Sequence, residues 1–167
     1  MVARVRLRQV TLADQREFLA SMKASRALHY PWVSAASTPK LFRAFIERMS
    51  RPENCGLLVC EHENNRILGV INITNIVLGV FRSGYLGFYA FAGFERRGLM
   101  SKGLRAAVRH AFDKLKLHRL EANIQPGNTA SIALVKSCGF SKEGYSPRYL
   151  KIGGRWRDHE RWAIRAS

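Results

Sequence analysis

The chain has 167 residues, 47% hydrophobic and 24% charged, enough apolar material for one domain with a real core and too much for a disordered chain. Its 28 Lys and Arg against 12 Asp and Glu give a net charge of +16, which attracts polyanions such as nucleotides, nucleic acid, ribosomes or acidic lipid surfaces; an Arg-rich proteome would produce the same bias. Three cysteines without a CxxC pair argue against a disulfide framework or zinc site, and no apolar run reaches membrane-span length or forms a signal-peptide core, so a reducing, cytoplasmic location with no membrane partner is expected.

Residues 4–8 alternate Arg with Val and Leu, the pattern of an edge strand with one wet face. Thr11-x-x-Asp14 reads as a capping box, and Phe18, Leu19 and Met22 support a helix from about residue 13. Residues 28–37, containing Tyr30-Pro31-Trp32, read as an irregular crossing. Thr38-Pro39 then opens a second helix, with Leu41, Phe42, Phe45, Ile46 and Met49 as its stripe. Strand patterns follow at 56–60, 66–77 and 85–91, the first two joined by a turn at 63–66. Leu104, Val108, Ala111, Phe112 and Leu115 lie on one face of a helix over 99–116. A strand over 118–124, a turn at Pro126-Gly127, and a helix over 129–137 come next. Asn128 caps that helix at its start and Gly139 at its end. Strands over 140–145 and 156–164 close the chain, separated by Gly153-Gly154. No repeat or linker interrupts this order, which predicts a single α+β domain over 1–167 with a mostly antiparallel sheet.

Two segments carry chemistry. Residues 94–101, Phe-Glu-Arg-Arg-Gly-Leu-Met-Ser, form a basic glycine loop between a strand and a helix N-terminus. Outward backbone N–H groups and the helix dipole favour an anion there. The loop has neither the Walker spacing nor the three glycines of a dinucleotide fingerprint, and a lone glycine beside arginines is more often a solvated turn than an anion site. The second segment is Asn128-Thr129-Ala130-Ser131, running on to Gly139-Phe140.

Together these segments resemble the GNAT acetyltransferase superfamily. The first is similar to its pyrophosphate loop, Gln/Arg-x-x-Gly-x-Gly/Ala, and the second to its Asn-x-x-Ser helix ending in Gly-Phe. Asn75-Ile76-Val77, Tyr85-Leu86-Gly87, Gly98-Leu99-Met100, His118-Arg119, Lys142-Glu143-Gly144-Tyr145 and Trp156-Arg157-Asp158-His159 sharpen the likeness to the RimJ/RimL type. The resemblance implies a mixed, mostly antiparallel sheet flanked by helices, with a splayed central strand pair that binds acetyl-CoA. It implies acetyl transfer to a primary amine, above all the N-terminal α-amine of a protein such as a ribosomal protein. The implied cofactor-binding residues are Phe88, Tyr89, Ala90, Arg96, Arg97, Gly98, Leu99, Met100, Ser101, Asn128 and Ser131.

The loop departs from the family pattern at three positions. Glu95 stands where Gln or Arg is usual, Arg96 replaces a common glycine, and Met100 replaces the final Gly/Ala. Glu95 is expected to point outward, leaving backbone amides with Arg96, Arg97 and Lys102 to supply the positive field. The tyrosine with which many relatives protonate the leaving thiolate is replaced by Val135. Ser131 is the nearest remaining hydroxyl, with a first-turn cap as its alternative role. Glu121 shares a strand face with Asn123 and is the candidate base acting through water, with an Arg salt bridge as its alternative. Tyr145 and Tyr149 are further hydroxyls near the site, and Asp158 and His159 fall on opposite faces of one strand. The five histidines have no metal spacing, so no metal is expected. Two other functions fit the same residues. One is acetylation of a small amine such as an antibiotic, toxin or amino acid. The other is a non-catalytic RNA- or ribosome-binding protein using the basic surface, although no RNP-type aromatic motif is present.

Overall fold

In the computed structural model, which describes residues 4–167, a single sheet is built by seven strands. The order along the chain is β1 (Val5–Gln9), a 3-10 turn (Leu12–Asp14), α1 (Gln15–Ala24), α2 (Arg26–His29), α3 (Pro39–Met49), β2 (Cys55–Glu61), β3 (Ile67–Val77) and β4 (Ser83–Ala90). It continues with α4 (Leu99–Asp113), β5 (Arg119–Ile124), α5 (Thr129–Ser137), β6 (Ser141–Ile152) and β7 (Arg155–Arg165). The sheet order is β1-β2-β3-β4-β5-β7-β6, antiparallel everywhere except between β4 and β5.

Local signals explain most boundaries. The Thr11–Asp14 capping box forms, with the Thr11 amide donating to Asp14 at 2.8 Å, but a turn of 3-10 helix precedes α1. Thr38 Oγ1 accepts from the Leu41 amide, and Pro39 occupies the first turn of α3. Helix α2 has four residues, too short for any period to announce it inside the expected irregular crossing. Strand β6 extends to Ile152, beyond the expected residue 145, because the β6–β7 ladder continues past an irregular stretch between Ser146 and Leu150. Arg8 does not lie on a wet face. It holds Asp14 through two hydrogen bonds of 2.9 and 2.6 Å. Burial alone would raise the Asp14 carboxyl; Arg8 and the Thr11 amide outweigh it and hold the group below its ordinary range.

The helices divide between the two sheet faces. On one side Phe18 of α1 packs against Phe42 and Phe45 of α3 and against Phe91 just past β4, with ring centroids 4.9 to 5.7 Å apart. Each such pair contributes about 0.5–1.5 kcal/mol beyond its burial. On the other side α4 lies so close to the sheet that two glycines are required. A Cβ at Gly103 would sit 2.6 Å from Val59 Cγ2, and one at Gly69 would sit 2.6 Å from Met100 Sδ. Gly69 therefore gives Met100 the room that a smaller loop residue would not need.

The Gly103 contact predicts that Gly103→Ala loses about 1–3 kcal/mol of stability by overpacking. Urea unfolding of Gly103→Ala with Val59→Ala should recover part of that loss, because the two sites share one contact.

Candidate functional site

The site begins where two strands part. Strands β4 and β5 pair in parallel over three positions only, Ser83–Arg119, Gly84–Leu120 and Tyr85–Glu121. Beyond them β4 stays paired to β3 through Ala90, and β5 stays paired to β7 through Ile124. Each strand is held by its outer neighbour, so a wedge opens between them. The Phe91 amide donates to Leu68 across β3, and neighbouring residues of a strand turn their backbone groups to opposite sides. Tyr89 therefore turns its backbone to β3, while Phe88 and Ala90 turn theirs to the opening. His29 Nε2 donates to the Ala90 carbonyl at 2.7 Å, and its Nδ1 is buried without a partner. Burial holds the Tyr89 hydroxyl well above its ordinary range, and its ring packs against His29. Tyr89 thus turns no backbone group to the opening.

The basic loop is suspended from the end of β4. The Ala92 amide donates to Ser25 Oγ at 2.9 Å, and Ser25 in turn donates to the Ser21 carbonyl. Phe94 is buried beneath the Arg66 guanidinium, 4.7 Å from its ring centroid. Glu95 accepts from the Gly93 amide at 2.7 Å, so its carboxylate closes the loop's own turn. Gly93, Arg96 and Gly98 have φ of +92°, +57° and +69°, a left-handed conformation that reverses the chain into α4. The Lys102 amide makes the first helical bond, to Gly98. The amides of Leu99, Met100 and Ser101 precede it and form the donor end of the helix. Arg96 and Arg97 are exposed beside them.

The second segment meets the first. Asn128 caps α5 by accepting from the Ser131 amide at 3.3 Å. At the far end of α5, Ser137 Oγ lies 3.5 Å from Ser101 Oγ, Cys138 Sγ lies 3.6 Å from the Ser101 carbonyl, and Arg105 donates to the Ser137 carbonyl. The two helices frame one end of the wedge. Val135, where the family tyrosine would stand, is fully buried.

The other sheet face carries the titratable groups. Glu121 and Asn123 share that face, as expected, with Tyr85 and Gly87 of β4. Arg119 holds Glu121 at 2.8 Å and Glu143 at 2.6 Å, so the Glu121 carboxylate is committed to an ion pair. Tyr149 reaches back toward Tyr85 and Glu121; burial and the Tyr85 hydroxyl raise its pKa. Tyr145 donates to Asp158 at 2.6 Å, and Asp158 also accepts from the Arg148 amide, which makes the pair a clasp of the β6–β7 hairpin. His159 is buried on the opposite face from Asp158. Trp32 from the 28–37 crossing packs on Gly127, 3.0 Å from where a Cβ there would be, and so spans from the α2 side to the β5–α5 loop. His29 and Arg161 carry no periodic or motif signal, and only the folded sheet brings them to this region. Among the described residues, no group of three His, Cys, Asp or Glu is placed to hold a metal ion.

The Glu95–Gly93 bond can be read directly by hydrogen exchange. Glu95→Ala should speed exchange of the Gly93 amide about five- to tenfold, the effect of losing one charge-assisted hydrogen bond, while Glu95→Gln should retain most of the protection.

Residues 4–141 match the acetyltransferase (GNAT) domain family. The [ribosomal protein uS5]-alanine N-acetyltransferase of Escherichia coli is 41% identical over 97 residues, 58% of this chain and half of that protein's length. The structure of Mycobacterium smegmatis RimJ in complex with CoA-disulfide superposes with a TM-score of 0.89 at 25% identity, over 97% of this chain and 82% of that one. A spermidine N-acetyltransferase from Vibrio cholerae, in complex with CoA and spermine, shares the fold with a TM-score of 0.81 at 18% identity, over 96% of this chain and 95% of its own. The parted β4–β5 pair, the glycine loop and the Asn-capped helix stand in the order that the sequence motifs imply: the chain belongs to the GNAT acetyltransferase family and is of RimJ/RimL type.

Proposed function

We propose that this N-acetyltransferase uses acetyl-CoA to acetylate the α-amine of a protein N-terminus, with a ribosomal protein as the substrate class. The wedge between β4 and β5 carries the reading, because it offers unpaired backbone beside a helix N-terminus in a basic loop. The amides of Leu99, Met100 and Ser101 and the side chains of Arg96 and Arg97 suit a pyrophosphate. The backbone groups of Phe88 and the Ala90 N–H suit an extended amide-bearing arm, with the Phe88 N–H a donor for a developing oxyanion. Asn128 and Ser131 fix the start of α5 beside it.

Bound acetyl-CoA would supply the activated thioester acyl group. The chain supplies position and hydrogen bonds more than strong acid or base. Glu121 is held by Arg119 and acts at most through water. Ser131 is proposed to carry a proton toward the leaving sulfur. A weak base suffices for an α-amine, whose reference pKa of ≈ 7.7–8.0 leaves a useful neutral fraction at pH 7, against ≈ 10.4 for lysine. The likeness to a uS5-alanine acetyltransferase supports the peptide acceptor. The polyamine enzyme shares the fold, which keeps a small amine as the second reading.

An acceptor screen decides between them. Ribosomal N-terminal peptides should release CoA faster than spermidine, amino acids or aminoglycosides, and mass spectrometry should find an acetyl group on a ribosomal N-terminus only when the enzyme is present. RNA binding without turnover would overturn the enzymatic reading. Gly98→Val should weaken CoA binding at least tenfold by calorimetry, since a β-branched residue at φ +69° is strained. Gly98→Asn should retain most affinity, because Asn tolerates that conformation. Ser131→Ala should lower kcat about tenfold or more with little change in KM for acetyl-CoA; an unchanged kcat would leave Ser131 as a cap residue.

A further inference from the structure

One transverse row of the sheet consists of three glycines and three polar side chains. Its register partners are Gly56–Asn72, Asn72–Gly87, Asn123–Arg161 and Arg161–Gly144. The paired part of β4 and β5 sets Gly87 opposite Asn123 across the wedge, two positions past Tyr85–Glu121. All six residues share one face, because register partners point the same way. A Cβ at Gly87 would meet nothing within 4 Å, so the middle of the row is open. At Gly144 the space is taken by the Arg161 guanidinium, whose Cζ would lie 3.0 Å from a Cβ there.

Three buried polar atoms in this row have no partner: Asn72 Oδ1, Asn123 Oδ1 and Arg161 Nε. An orphaned buried polar group costs about 1–3 kcal/mol, and three on one row beside an open glycine point to a ligand. Asn72 lies on the far bank, with β4 between it and the others. Asn123 and Arg161 are direct neighbours on β5 and β7, one an acceptor and the other a donor. Arg161 and Gly144 lie beyond the family match, which spans residues 4–141, and Asn123 lies within it.

We infer that Asn123 and Arg161 form the acceptor-recognition pair, Asn123 Oδ1 receiving an N–H of the α-amine and Arg161 Nε–H donating to the first carbonyl of the same residue. An amine acceptor and a carbonyl donor side by side match an α-aminoacyl group, which a peptide N-terminus has and a polyamine lacks. The guanidinium also opposes a second positive charge nearby, which favours the neutral, nucleophilic amine and disfavours a polycation. Arg161 is a binding residue here and touches no reacting bond. The inference rests on the α-amine reading above and adds the residues that enforce it.

The test compares two acceptors, a peptide and the same peptide with its first carbonyl reduced to methylene, on wild type, Arg161→Met, Gly144→Ala and Asn123→Leu. Wild type should prefer the intact peptide at least tenfold in kcat/KM. Arg161→Met should shrink that preference at least fivefold, down to what the higher basicity of the reduced amine leaves, raising KM for the intact peptide ten- to hundredfold while KM for acetyl-CoA moves less than twofold. Gly144→Ala leaves Arg161 in place chemically but evicts its guanidinium from the row, and should reproduce the loss in a folded protein. Asn123→Leu should raise KM for both acceptors. Equal effects of Arg161→Met on the two acceptors, or none on either, overturn the pairing while peptide acetylation by wild type upholds the α-amine reading. Wild-type preference for spermidine over every peptide overturns both.

Discussion

The separation of β4 from β5 after Tyr85–Glu121 is the constraint on which the rest of this molecule depends. A sheet normally satisfies backbone groups strand to strand, and a gap in it leaves donors and acceptors that something else must meet. Here the gap is stable because both strands are fully paired on their outer edges. The Ala90 carbonyl is met by His29 from α2, so one rim of the wedge is fixed by a residue far away in sequence. The Phe88 backbone turns to the opening, on the strand that leads into the basic loop. A ligand that runs along β4 and ends in phosphate would meet complementary groups along its whole length.

Close packing places the helix that ends this track. Gly69 and Gly103 let α4 lie against the sheet, at Met100 and Val59 respectively. The contact aims the helix N-terminus at the mouth of the wedge. Ser101 and Cys138 then tie α4 to the end of α5. The loop between β4 and α4 is ordered from within by Glu95 and from outside by Ser25. A lone carboxylate at Glu95 would repel an anion. Its amide partner makes it a turn-closing residue, and positive charge is left to Arg96 and Arg97.

Charge is divided unevenly over the molecule. The net +16 is a property of composition, and several arginines are consumed by specific partners: Arg8 by Asp14, Arg119 by Glu121 and Glu143. Arg161 lies over Gly144 with an unpartnered Nε. The sheet face that holds Asn123 and Arg161 therefore carries a half-buried guanidinium and neutral amides, with Glu121 beside them paired to Arg119.

The sequence by itself determined what depends on neighbours along the chain. Periodicity located α1, α3, α4 and most of the strand residues; Thr38-Pro39 set the start of α3, Asn128 and Gly139 the ends of α5, and the glycine loop before Leu99 marked a candidate anion site. Their order along the chain sufficed to imply a GNAT fold, because that family's motifs are local. Tertiary structure alone decided what depends on residues far apart. Helix α2 was illegible because four residues carry no period. The bond of His29 to Ala90 spans 61 positions, and the Asn123–Arg161–Gly144 row exists only through strand register. Backbone direction was equally hidden: Phe88, Tyr89 and Ala90 read alike in sequence, yet pairing with β3 turns Tyr89 away from the opening and leaves the other two facing it. Side-chain patterns report which residues are buried; hydrogen-bond register, set by the whole sheet, decides which groups remain free to act.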